Sequence, residues 1–467
     1  MNRSTALRQW LLICGVAFGL MGLQEPAWSA SDSAAAWMGV ESAQFRLVAE
    51  PVYGGQVAVY SAGDPKNPPL VLIHGLGTNG AKDWANVVPE LARRFHVIAI
   101  DQPGFGASSR GNHLYSPENQ ARVLDALLRK LGVGEHILIG HSFGAAVALA
   151  YAGEHNQRVR RLILVDMAGV LHRSVYTEYL SRMGALYFTG IYPQENSLFG
   201  GLIREALRTA ERWAADAGWA LESPWFRQQV LQGDANAIAA YALVEHDFSA
   251  TLDRLAMPTL LIWGRDDPLA PLRTGQAVAS RVNHARLSVL DGIGHSPMFE
   301  SPEQFRQLLL HELNDYSPGE TLRWSPAPGS TAREARCTGL ERAHFTGVIS
   351  VLQLENCTEV RVERASIGRI EARNSRVRLI DASVRDSARI QGGFLQMTGG
   401  RLDGPVALHS ANADLAGVEL GPTAQMQAHG PHRVAVHFSV SRRQLRTSQA
   451  NAEYLHGTRE LAPGEFW

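Results

Sequence analysis

Lysine is almost missing from this 467-residue chain: it occurs only at Lys66, Lys82 and Lys130, and arginine supplies the rest of the 44 basic residues. The imbalance is read as genomic composition bias and carries no function. An excess of one charge is missing too, since 44 basic and 45 acidic residues leave a formal net charge of −1. No overall field therefore favours nucleic acid, and no nucleic-acid partner is expected. Cysteine occurs three times, at Cys14, Cys337 and Cys357, without the Cys/His spacing of a zinc site. A glycine-rich phosphate loop and a dinucleotide fingerprint are also absent, so neither metal nor cofactor is implied. The turn Asp101-Gln102-Pro103-Gly104-Phe105-Gly106 has glycines after a strand, but its spacing is wrong for phosphate.

A long apolar run is lacking as well. The N-terminal apolar stretch, residues 10 to 23, is too short to span a bilayer comfortably as a helix. Met1-Asn2-Arg3 and Arg8 precede it, and Ala27-Trp28-Ser29-Ala30 leads into a polar stretch. A charged start, a short apolar centre and small residues at a cleavage point are the build of a secretory signal. Cleavage after Ser29 keeps Trp28 off the restricted position, so residues 1–29 are expected to leave and the body to be periplasmic or secreted. If the segment is retained, it becomes a membrane anchor. Cys14 follows Ile13 inside the stretch and makes a poor lipoprotein site.

What is present is a serine on a sharp turn. Gly140-His141-Ser142-Phe143-Gly144 follows the apolar run His136-Ile137-Leu138-Ile139 and precedes an unbroken alanine-rich helix pattern over 145 to 154. A strand-to-helix reversal lifts the hydroxyl out of the backbone, and flanking glycines let the helix pack under the strand. A serine hydroxyl is a weak nucleophile near neutral pH. It needs a histidine base, an orienting carboxylate and donors for an oxyanion. The strand Pro69-Leu70-Val71-Leu72-Ile73 ends in His74-Gly75-Leu76-Gly77, so the N–H of Leu76 with that of Phe143 forms the expected oxyanion hole. The strand Thr259-Leu260-Leu261-Ile262-Trp263 leads to Gly264-Arg265-Asp266-Asp267-Pro268, with Asp267 the expected acid. Asp291-Gly292-Ile293-Gly294-His295 follows another strand, with His295 the expected base and a helix starting near Ser301-Pro302-Glu303.

In this order of nucleophile, acid and histidine the sequence resembles the α/β-hydrolase fold family, element by element over roughly residues 45 to 315. The resemblance implies an α/β fold with an eight-stranded, mostly parallel, doubly wound sheet and a helical cap. Its catalytic roles fall on Ser142, Asp267 and His295, nearest to the esterase and carbon–carbon hydrolase branches. The family's acid sits three residues after the strand-ending glycine, which favours Asp267 over Asp266. Asp166 is a second place from which an acid could reach the base, with capping of the next turn as its plainer reading. Asp291 reads as a loop-ordering residue, and His74 and His141 as partners of loop backbone. His113 and His246 are candidates for substrate contact only through their nearness to the expected site loops. Serine in place of an aspartate nucleophile excludes the dehalogenase and epoxide hydrolase chemistry of this fold.

The strand pattern lapses between Met167 and Ser249. Tyr176, Tyr179, Tyr187, Phe188, Tyr192, Phe199, Trp213, Trp219, Trp225, Phe226 and Tyr241 lie on helical stretches there. A cap over about 167–250 with so many rings suits an apolar acyl chain or aromatic substrate, although most such rings simply pack a cap on its core. The hydrolase domain is thus expected over 40–316, followed by a Pro/Gly-rich linker over 317–335.

From 336 to 467 the character changes to an all-β domain with an irregular tail. The doublets Val360-x-Val362, Val377-x-Leu379 and Leu395-x-Met397, each trailed by Ile367, Val384 or Leu402, repeat at about 17 to 18 residues. That is the length of a small solenoid coil, so a right-handed parallel β-helix is the first reading and a β-sandwich the second. Asn356 and Asn374 share the register. Cys337 and Cys357 fall on adjacent rungs and are expected to form a disulfide in an oxidising compartment. Eight arginines stand against four acids between Arg361 and Arg389. The stripe reads as the solvated face of alternating strands, or as a contact for anionic envelope polymers or lipid headgroups.

The functional expectation is an exported serine hydrolase that cleaves a small-molecule acyl substrate, a carboxylic ester first, through an acyl-enzyme. A carbon–carbon hydrolase, an acyltransferase of the same fold, and an envelope-binding protein with a vestigial hydrolase domain are the alternatives.

Overall fold

The computed structural model describes residues 34–170, 218–246, 248–282, 285–314, 327 and 330–429, with strand pieces at 434–437, 440–441 and 458–459. The expected signal segment lies outside them, as does most of the expected linker. The chain divides into two compact units, Met1–Gly275 with Leu287–Ser317, and Gln276–Arg286 with Pro318–Trp467. Among the described residues no helix is long and apolar enough to cross a membrane.

Eight strands form one sheet: β1 (Gln44–Ala49), β2 (Gln56–Ala62), β3 (Pro69–Ile73), β4 (His96–Asp101), β5 (His136–His141), β6 (Val159–Val165), β7 (Thr259–Gly264) and β8 (Ala285–Leu290). Their order across it is β1-β2-β4-β3-β5-β6-β7-β8. β2 runs antiparallel to both β1 and β4, while β4, β3, β5, β6 and β7 are parallel. β5 and β7 are buried along their whole length, as strands covered on both faces must be. β1, at the edge, buries only Val48. Parallel strands share a direction, so the loops after β3, β5, β6 and β7 gather at one edge of the sheet, where such folds hold their ligands.

Crossover helices follow from local signals. Ser116 caps the helix Pro117–Lys130 by accepting the Asn119 N–H at 3.3 Å, and Pro117 sits where no N–H is needed. Ala121, Leu124 and Leu128 recur on its buried face. A short helix, Ala34–Met38, stands before the expected domain start at residue 40. It packs Ala34 and Met38 into the cluster that holds Trp84 and Leu91, and Met38 is fully buried. Five residues are too few to show a helical period, so the sequence pattern does not reveal it.

The second unit is built of parallel ladders. β10 (Arg342–Glu355) lies between β9 (Arg333–Thr338) and β11 (Glu359–Ile380), and β11 pairs with β12 (Ser383–Thr398). Val377 stands opposite Leu395, Leu379 opposite Met397, Ile367 opposite Val384, and Val384 opposite Leu402. Each apolar position thus stacks on its counterpart one coil later, which makes one continuous core from repeated small rungs. Parallel register of this kind excludes the sandwich reading. β9 begins at Arg333, inside the expected linker, because Arg333 already pairs with Ile349.

A column of corners closes the coils. Asn356, Asn374, Gly392 and Ser410 recur once per coil with φ of 54°, 48°, 67° and 49°. Asparagine and glycine tolerate this left-handed region well, and Asn374 Nδ2 donates to Asn356 Oδ1 at 3.2 Å. At the neighbouring Gly393, with φ of 87°, an added Cβ would lie 2.2 Å from the Ser375 carbonyl oxygen. Cys337 and Cys357 are joined by a disulfide with Cα atoms 6.5 Å apart. Along the arginine stripe Arg369 pairs with Glu371, Arg373 with Glu355 and Arg378 with Glu359. Those pairs are what a solvated strand face carries.

Two stability outcomes follow. Replacing both cysteines by serine is expected to lower the stability of this unit by about 3 kcal/mol, the entropy of the closed loop, read as a lower Tm with an intact far-UV spectrum. Gly393→Ala should cost about 2 kcal/mol or more, while Asn374→Gly should be nearly neutral, because only the first forces a Cβ into a crowded left-handed corner. Urea unfolding of the variants checks both.

Candidate active site

Between β5 and the helix Phe143–Glu154 stands Ser142, with φ 51° and ψ −116°. A non-glycine residue in such a conformation stores about 1 to 3 kcal/mol of strain and needs its surroundings to hold it. Its N–H donates to the Val165 carbonyl at 2.9 Å, and its own carbonyl accepts from Ala145 at 3.1 Å. The two glycines are a steric requirement. A Cβ at Gly140 would lie 2.3 Å from the Gly144 carbonyl oxygen, and one at Gly144 would lie 2.2 Å from that of His74.

The structure brings Ser142, His295 and Asp267 into one line. Ser142 Oγ lies 2.8 Å from His295 Nε2, and His295 Nδ1 lies 2.7 Å from Asp267 Oδ2. With Nδ1 protonated and donating to the carboxylate, Nε2 is left as the acceptor of the serine proton. The Asp267 side chain is fully buried. Its Oδ1 accepts the N–H groups of Leu269 and Ala270, both at 2.8 Å. Asp266 is exposed to solvent, and its N–H donates to the Ile293 carbonyl at 2.9 Å. Asp291 pairs with Arg265, a loop-ordering contact.

The histidine loop is held from two sides. His141 Nε2 donates to the His295 carbonyl at 2.8 Å. Burial, and after it the neighbouring His295 ring, push His141 down to about 3, so it stays a neutral donor. Glu300 accepts the N–H groups of Gly294 at 2.7 Å and Ser296 at 2.9 Å. His74 is committed to backbone as well. Its Nδ1 donates to the Gly75 carbonyl at 2.6 Å and its Nε2 accepts from the Gln102 N–H at 3.0 Å.

The proposed oxyanion donors belong to two segments that meet at the serine, the start of the helix after β5 and the loop after β3. Phe143 opens a helix, where N–H groups have no intrahelical partner. Leu76 follows Gly75, whose added Cβ would lie 3.2 Å from Ser142 Cβ, so the loop after β3 rests against the nucleophile. Asn236, on the helix Ala235–Glu245, fixes the next residue by accepting the Gly77 N–H at 2.7 Å. Asp166, at the end of β6, is fully buried, and its Oδ1 accepts the Gly264 N–H at 2.8 Å. Burial, and then the charge of Asp267, push its carboxyl far above the ordinary carboxylate range, which favours the neutral acid.

Sequence does not single out Asn236 or Glu300. The signals that could have found them are a polar residue in the first turn of an otherwise apolar helix, and an acid shortly after the histidine. His113 stacks on Tyr53 with ring centroids 4.6 Å apart, and His246 pairs with Glu118 at 2.5 Å, so each is engaged with a neighbouring element. The insertion between β6 and β7 includes the helices Gly218–Glu222, Pro224–Gln229, Ala235–Glu245 and Ser249–Arg254. There Phe226 packs edge-on against Tyr241 at 6.3 Å, whereas Trp225 is 68% exposed. The side chains of the expected cap aromatics from Tyr176 to Trp219 lie outside the described residues.

Known proteins share this architecture. A family model described as the alpha/beta hydrolase fold matches residues 68–195. A 2-hydroxymuconate semialdehyde hydrolase of Pseudomonas sp. (strain CF600) is 33% identical over 258 residues, 52% of this chain and 85% of that protein. A 2-hydroxy-6-oxononadienedioate/2-hydroxy-6-oxononatrienedioate hydrolase of Burkholderia vietnamiensis is 30% identical over 256 residues, 53% of this chain and 87% of that protein. A solved structure of a thermophilic esterase from Thermogutta terrifontis, with malate bound, is 26% identical with a TM-score of 0.43, covering 58% of this chain and 98% of that one. Since the likeness to the two hydrolases runs through most of their length, the chain belongs to the α/β-hydrolase fold family and is a hydrolase.

Proposed function

We propose that the protein is an exported serine hydrolase that cleaves an acyl bond, a carboxylic ester first, through an acyl-enzyme. The observation that carries this reading is the line from Ser142 Oγ through His295 to Asp267, with contacts of 2.8 and 2.7 Å. Ser142 Oγ attacks the substrate carbonyl as His295 Nε2 takes its proton, and Asp267 steadies the imidazolium that forms. The oxyanion meets the N–H groups of Phe143 and Leu76, already fixed before the charge develops. His295 then returns the proton to the leaving group, and a water activated by the same base cleaves the acyl-enzyme. Export is supported by the charged, apolar and small-residue order of the first 30 positions and by the Cys337–Cys357 bond. Envelope contact through the second unit belongs to the same proposal.

A second reading is cleavage of a carbon–carbon bond beside a ketone, favoured by the names of the two relatives. Both readings share the attacked carbonyl and differ in the leaving group. Turnover of a nitrophenyl acetate against that of a 2-hydroxy-6-oxo-dienoate separates them.

Ser142→Ala should lower ester turnover by at least about 10³-fold with little change in Tm, since it removes the nucleophile and almost no packing. Asp267→Asn should cost about 10⁴-fold in kcat and Asp266→Asn almost nothing. Equal losses from the two aspartates would refute the assignment of the acid. Activity should fall on the acid side as the base takes up a proton, which a pH profile of kcat/KM reads directly.

A further inference from the structure

We propose that Asp166 is a positioning residue of the relay: it remains a neutral acid and donates its carboxyl proton to Asp267, which keeps His295 free to act as a base. This rests on the reading of Ser142, His295 and Asp267 given above. Asp166 stands at the end of β6 with φ 42° and no exposed surface. Its Oδ1 is occupied by the Gly264 N–H at 2.8 Å, while its Oδ2 is buried with no donor among the described residues. The side chain that it meets is Asp267. Asp267 in turn already accepts from Leu269, Ala270 and His295. Two carboxylate oxygens cannot bond to each other unless one carries a proton. A proton on Asp166 Oδ2 satisfies both groups at once, and a second buried charge there would be costly.

The ionisable neighbours point the same way. Asp267 comes from the loop after β7 and Glu300 from the short helix Pro297–Glu300, and both disfavour a charge on Asp166. The His141 and His295 rings are 5.2 Å apart, with His141 neutral. If Asp166 were ionised, two anions would hold the imidazolium and delay its release of a proton to the leaving group. As a neutral donor it instead takes part of the Asp267 charge and fixes the carboxylate at the same time.

Asp166→Asn and Asp166→Leu in the full chain test this. Asn keeps both a donor toward Asp267 and an acceptor for Gly264, so kcat/KM should stay within about threefold and the acid limb of its pH profile should not move. Leu removes the donor, so the limb should rise by about half a unit or more and kcat fall about tenfold. A limb that drops by about one unit in the Asn variant would mean that a charge was lost, and would overturn the proposal. So would a Leu profile matching wild type.

Tm as a function of pH decides the same point without activity. The unfolded chain releases this proton near about pH 3.9 while the native state holds it, so wild type loses stability relative to the Asn variant as pH rises above that value. The Tm gap in favour of Asn should therefore widen steadily toward about pH 9, and a constant gap would overturn the proposal. If Ser142→Ala kept its turnover, the proposed function would fall while the Tm series still judged Asp166.

Discussion

The close crossing of the β5 turn against β3 is the constraint on which the site depends. Gly144 lies so near the Ile73 and His74 carbonyl oxygens that an added Cβ would sit 2.4 and 2.2 Å from them. That approach draws the first turn of the helix Phe143–Glu154 toward the loop after β3 and brings Gly75 against Ser142. The same approach forces the reversal through φ 51° at the serine, where the backbone strain is held by the packed sheet. The proposed nucleophile and oxyanion donors are therefore positioned by the sheet, while the proposed base and acid arrive on loops from β8 and β7.

Much of this is legible in the sequence because it is local. Glycines at 140 and 144, an apolar strand before them and a helix after them state the reversal within about fifteen residues. The spacing from Gly264 that favours Asp267 over Asp266 agrees with the side chain that meets His295, and the structure gives the reason. Asp266 and Asp267 are adjacent, so only one can turn inward, and the turn that lets Asp267 accept from Leu269 and Ala270 leaves Asp266 in solvent. What cannot be read is long-range. Asn236 reaches Gly77 across 159 positions, and Asp166 at the end of β6 meets Asp267 in the loop after β7. Nothing near either residue records its partner. Asp166 reads from sequence as a rival acid or a turn cap, because sequence does not give its burial.

The second unit is legible for a different reason. Parallel coils place the same kind of residue at the same point of every turn, so periodicity in the sequence is periodicity in the core. Its blur has a physical source. The β10–β11 ladder shifts register between Phe345 and Gly347, and the β11–β12 ladder between Ile367 and Arg369, so the repeat length changes at the bulges.

The carboxylates that hold the histidine loop are themselves held by fixed dipoles. Asp267 and Glu300 take their hydrogen-bond donors largely from backbone: Leu269 and Ala270 for the first, Gly294 and Ser296 for the second. Backbone dipoles cannot rotate away or exchange with dissolved ions, so they hold negative charge in place at little reorganisation cost. A lysine or arginine in their place would add a full positive charge beside His295 and oppose its protonation during catalysis. Fixed N–H groups support Asp267 while leaving the imidazole as the one group free to gain charge. A site built in this way keeps its fields short-ranged, because its charges are met by dipoles that the fold holds in place.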